Sequence, residues 1–203
     1  MRRDHPPEPW HLFFRDIDRT LDHPVAVQCI GGFAIAMLYG LPRPTVDIDF
    51  LSVVPADEIG RLEVLAGMGS ALHGKHGVYV HHVGIVTVPE CYEDRVIPIF
   101  PDAYRRVRLT GLEAHDLALS KLERNSGRDR EDVKFLARAV PLDLRILEDR
   151  YRSRASALSG GCRAARSHVA ALDRDAAGDV IRYRKRGGPS SPGWTGREAC
   201  PTA

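Results

Sequence analysis

The apolar run Val25 to Ile30 is cut by Gly31-Gly32 and followed at once by helix formers from Phe33 to Tyr39. A short apolar segment bounded by glycine reads as a buried strand, and the change of composition directly after it predicts a strand–turn–helix unit. A second strand, Thr45 to Val53, follows an interruption at Pro42 and Pro44. Two strands flanking a helix within about thirty residues leave little choice but a sheet covered by helices.

The remaining pattern extends that unit. Leu12, Phe13, Ile17 and Leu21 recur at helical spacing over Trp10 to Leu21, with Pro9 near the start. Asp57 to Leu65 predicts another helix, and Gly67, Gly69, Gly74 and Gly77 predict a loop after it. Val78 to Val88 predicts one or two strands, and Arg95 to Phe100 and Arg106 to Leu109 predict others. From His115 to about Leu158 the period is helical. The order predicts an α/β fold: a mixed β-sheet core with an N-terminal helix over residues 1–112, then a C-terminal helical segment, 113–158, capping it. After Ser159 large apolar residues are few and Gly187 to Gly193 is rich in Gly, Ser and Pro, so 159–203 is predicted to be a disordered tail. The basic cluster Arg182 to Arg186 reads as part of that solvated tail.

A chain of 203 residues holds one ordinary domain plus an appendage. Its formal net charge of +2 is too small to argue for nucleic-acid binding, which needs a concentrated basic surface. The four cysteines, Cys29, Cys91, Cys162 and Cys200, are widely spaced and form no C-x-x-C pair, so free thiols are expected. No apolar stretch backs the charges at the start, and Cys29 to Leu41 is shorter than the about 20 residues a membrane span needs. A soluble, cytoplasmic protein with no membrane partner is the expectation.

The chemistry is concentrated between residues 31 and 49. Alternation along a strand puts Thr45, Asp47 and Asp49 on one side and Val46, Ile48 and Phe50 on the other. Two carboxylates one strand step apart repel one another unless a cation lies between them. Hard oxygen donors of this kind suit Mg²⁺, which binds through one or two carboxylates together with substrate phosphates. At Gly31-Gly32 the absent side chains let a phosphate approach the backbone, and the helix N-terminus favours an anion. Taken singly, the glycine pair is a turn, the Asp-x-Asp a surface alternation and Arg43 a surface charge. Their order within about twenty residues favours the joint reading.

The run Gly31-Gly32 … Gly40 … Arg43-x-Thr45-x-Asp47-x-Asp49 resembles the signature of the DNA-polymerase-β-type nucleotidyltransferase superfamily. Its small prokaryotic branches are the nearest in pattern: minimal nucleotidyltransferases, the abortive-infection-toxin type and an uncharacterised nucleotidyltransferase-like family. Asp116 to Leu122, continuing to Arg128 through Val133, is similar to the helix pair after the catalytic sheet in the last two. The resemblance spans Val25 to Leu158. It implies a nucleotidyltransferase-like core, Mg²⁺ as cofactor and an NTP substrate, with Asp47 and Asp49 as catalytic metal ligands. Gly31, Gly32, Arg43, Thr45 and Lys121 are implied to bind the nucleotide. The acceptor, protein or RNA, is left open, as is a cognate partner protein.

Read without the resemblance, Leu117, Leu122, Val133, Leu136 and Val140 form a buried face, Asp129 and Asp132 serve helix capping, and Lys121 is a solvated lysine. One part of the superfamily pattern is absent. A third carboxylate is expected on a later strand, yet no Asp or Glu occurs between Glu63 and Glu90. His81 and His82 stand in that strand instead, with Glu90, Glu93 and Asp94 further on. Two readings follow: a Mg²⁺-dependent enzyme that moves a nucleotide from an NTP to an acceptor, or a degenerate nucleotide- or partner-binding module, including a toxin–antitoxin component.

Overall fold

The computed structural model describes residues 4–84, 86 and 88–153. The predicted tail and its basic cluster lie outside them. Helix α1 (Trp10–Thr20) precedes strand β1 (Val25–Cys29), helix α2 (Gly31–Tyr39) and strand β2 (Asp47–Val54). Helices α3 (Glu58–Ala66) and α4 (Ala71–His76) lead to β3 (Tyr79–His82). A short 3-10 helix, Tyr92–Arg95, precedes β4 (Ile97–Ile99) and β5 (Val107–Gly111). Helices α5 (Ala114–Arg124), α6 (Gly127–Ala139) and α7 (Leu144–Ser153) close the described chain. The architecture is the predicted α/β core with a C-terminal helical segment.

The five strands form one mixed sheet in the order β3-β2-β1-β5-β4. The pairs β1–β2 and β4–β5 are antiparallel; β1–β5 and β2–β3 are parallel. Register between β1 and β2 shifts by one residue, since Gln28 faces Ser52 while Cys29 faces Phe50. This bulge explains how Ile48, Phe50 and Val53 are all buried although an odd interval separates the last two. It also keeps Asp47 and Asp49 off the core face. Phe13, Phe14 and Ile17 of α1 and Phe33 and Ile35 of α2 fill the core beside β1. Leu117, Ala118 and Leu136 of the helical segment belong to the same cluster.

Several local expectations are corrected. The glycine-rich stretch contains α4, because the Ser70 side chain accepts from His73 N–H at its start and left-handed Gly77 ends it. The long helical stretch is three helices, broken at left-handed Asn125 and again before Leu144. Ser126, not Asp129, is the N-cap of α6, and Asp129 is the reciprocal partner of that capping box. Leu122 is exposed rather than part of the buried face. Cys29 is a buried free thiol, and Cys162 and Cys200 lie outside the described residues. Among the described residues no helix is long and apolar enough to cross a membrane.

Candidate functional site

The glycine pair forms the first turn of α2, with Ile30 as its N-cap. The Ile30 N–H donates to the Asp49 carbonyl at 2.8 Å, which pins the start of the helix to β2. Gly31 adopts φ 69, where glycine is free of the steric cost other residues meet. A Cβ on Gly31 would lie 2.9 Å from Asp49 Oδ2. Here the missing side chain is a clearance for a carboxylate. A Cβ on Gly32 would meet Arg43 Nη2 at 3.5 Å and Thr45 Oγ1 at 3.8 Å. The two glycines therefore touch Asp49 on one side and Arg43 and Thr45 on the other.

The carboxylates come from alternate positions of β2. Asp47 Oδ1 accepts from Thr45 Oγ1 at 2.6 Å. Asp49 Oδ1 lies 3.1 Å from His81 Nδ1 across the parallel β2–β3 pair, where Asp49 is in register with His81 and Asp47 with Tyr79. The Tyr79 hydroxyl is pushed up from its usual value, by burial first and then by the charges of Asp47 and Asp49. Both carboxylates thus act on one hydroxyl, as residues on a shared face should. Asp47 and Asp49 are half-buried, and His81 is largely exposed. Arg43 and Thr45 also line an open groove of about 1390 Å³ between the end of α2 and β4.

Two oxygen-donor side chains on one face, beside a helix start cleared by Gly31, fit a hard divalent cation that keeps water and substrate oxygens as its other ligands. Among the described residues no group of three or more His, Cys, Asp or Glu is arranged as a closed metal site. An all-protein cage of the kind used for structural zinc is not what the geometry offers.

Behind this front lies a charge network that sequence reading missed. Arg43 Nη2 donates to both oxygens of Asp132 on α6 at 2.8 Å. The second Asp132 oxygen is also 2.9 Å from Lys121 Nζ, and Lys121 donates to Asp129 Oδ1 at 3.3 Å. Lys121, implied by the resemblance to bind the nucleotide and otherwise read as a solvated lysine, is only 6% exposed and is a buried ion-pair partner. Arg124, one turn further along α5, grips Asp129 through Nε at 2.9 Å and Nη2 at 2.8 Å, yet its side chain remains 67% exposed. Hydrogen bonds from Arg124 hold the Asp129 carboxyl well below the usual carboxylate range. Those bonds likewise push the guanidinium up, with the charges of Asp129, Asp49 and Asp132 acting in the same direction. The one sequence signal for this network was the i, i+3 spacing of Asp129 and Asp132, which puts both on one face of α6.

His82 packs against Phe50, with ring centroids 5.2 Å apart, rather than joining the carboxylates. Asp94 and Glu93 lie on the 3-10 helix.

No curated protein and no solved structure matches the chain. One family does: the profile described as "Nucleotidyltransferase of unknown function", DUF6036, matches residues 13–171, well over half of the sequence. The match takes in the glycine turn, both strand carboxylates and the α5–α6 charge network, and the chain belongs to this nucleotidyltransferase family.

Proposed function

We propose that the protein is a Mg²⁺-dependent nucleotidyltransferase that moves a nucleotide from an NTP to a protein or RNA acceptor. The observation that carries this reading is the packing of the glycine turn directly against the Asp49 carboxylate of β2, with Gly31 clear of Asp49 by the width of a missing Cβ. Asp47 and Asp49 would hold the cation, the first oriented by Thr45. When bound, Mg²⁺ supplies charge neutralisation and polarisation of the phosphoryl group. The amides at the start of α2 favour the phosphates through the helix dipole and their own unpaired N–H groups. Arg43 lies against Gly32 through Nη2, the atom that Asp132 holds, and its Nε and Nη1 would be the donors left for a phosphate. Its planar fork matches phosphate geometry.

One observation favours a second reading. The residue in register with Asp49 on β3 is His81 and not a carboxylate, so a module that binds nucleotide, or a partner such as an antitoxin, without turnover is the alternative. Incubation with each α-labelled NTP and Mg²⁺ separates the two. Transfer of label to the protein or to added RNA, abolished in Asp47→Asn and Asp49→Asn, is the expected result. Saturable NTP binding with no transfer to any acceptor would favour the module, and label transfer undiminished in both variants would contradict the site.

A further inference from the structure

We infer that Arg124, rather than Lys121, is the cation of the helical segment that meets the triphosphate. This inference rests on the nucleotide-binding reading of the site above.

A lysine that binds phosphate must be able to present its ammonium to the ligand. Lys121 Nζ instead sits between Asp129 and Asp132, and its side chain is 7% exposed against 1% and 2% for the two carboxylates. Drawing it out would leave buried carboxylates short of a partner, a large cost in a poorly solvated place. Arg124 has the opposite arrangement. Nε and Nη2 are anchored on Asp129, while Nη1 has no bond to that carboxylate and most of the side chain faces solvent.

Its position relative to the site follows from one continuous chain of contacts. Arg124 binds Asp129, Asp129 binds Lys121, Lys121 binds Asp132, Asp132 binds Arg43, and Arg43 lies against Gly32. The Asp49 carboxylate is among the charges acting on Arg124, after Asp129. Two arginines are thus each held by a buried aspartate of one charge network, and that network reaches the glycine turn at Arg43. Lys121 is the shared counter-charge that keeps Asp129 and Asp132 together, a positioning residue for both arginines. Anchored guanidinium groups lose little freedom on meeting a phosphate, which favours affinity.

The test is calorimetric titration of the full chain with Mg²⁺–ATP and, separately, with Mg²⁺–tripolyphosphate, which has no base or sugar. Arg124→Ala should weaken both by about ten- to a hundred-fold, the usual range for losing a charge-assisted bond to phosphate. Arg124→Lys should recover part of that loss. Lys134→Ala, which removes an exposed cation paired with Glu131 on α6, should leave both affinities unchanged. Wild-type affinity in Arg124→Ala overturns the inference while the nucleotide-binding reading stands. So does a loss confined to ATP, or a loss that Arg124→Lys does not recover and that tracks a lowered unfolding midpoint in both variants. If the wild-type protein binds neither probe, the reading of the site falls and this inference with it.

Discussion

At Gly31 a backbone requirement and a chemical one coincide. Its φ of 69 is a left-handed conformation, and the space its side chain would fill belongs to Asp49 Oδ2. Gly31→Ala should therefore cost about 1–2 kcal/mol from the backbone alone, read as a lowered urea midpoint. It should also weaken Mg²⁺–ATP binding, because the Asp49 carboxylate must turn aside. An alanine variant as stable as the wild type would show that this turn relaxes freely. At this scale the sequence was informative where neighbours decide the outcome. Alternation alone put Asp47 and Asp49 on one face, and glycine after a strand located the turn. Lys121 was illegible because its partners are chosen by the docking of α5 against α6. The Arg43–Asp132 pair was illegible for the same reason, being separated by 89 positions.

Among the elements, α6 does most to organise the site. Its capping box uses Ser126 and Asp129 reciprocally, and the same Asp129 takes up Lys121 and Arg124. The Asp129 carboxyl is depressed in the folded state, so the stability it contributes is complete above the ordinary unfolded carboxylate value of about 3.9 and is lost as pH falls below it. The urea midpoint of the wild type should fall steadily between about pH 4 and pH 2.5. Asp129→Asn should be less stable at pH 7 and should lose less over the same acid range. Equal acid slopes in both proteins would show that other carboxylates account for the effect. Helix existence was readable from period, whereas boundaries were not. The α4 segment reads as a loop from its glycine content, yet left-handed Gly77 ends a helix rather than preventing one. The start of β2 was placed two residues early, since Thr45 precedes the strand and serves Asp47 instead.

For the whole molecule, the notable fact is that the sheet and the helical segment share a core. Leu117, Ala118 and Leu136 belong to the same apolar cluster as Phe13, Phe33 and Phe50. The sequence reads as a core over 1–112 with a helical cap, 113–158, packed on it, and the shared cluster means that the two should unfold together. Far-ultraviolet circular dichroism and Trp10 fluorescence, followed through urea in a Trp194→Phe background, should give one coincident transition. A helical signal that melts ahead of Trp10 would mean the cap is an independent unit. The central claim narrows to one place: that Gly31, Asp47 and Asp49 make a single metal–nucleotide site. The most direct test is ATP binding by the full chain with and without Mg²⁺, compared with Asp47→Asn and Asp49→Asn. The account predicts binding that depends on Mg²⁺ in the wild type and is weakened at least about tenfold in each variant, while all three proteins stay folded. ATP bound equally well without the metal, or equally well by both variants, would contradict it.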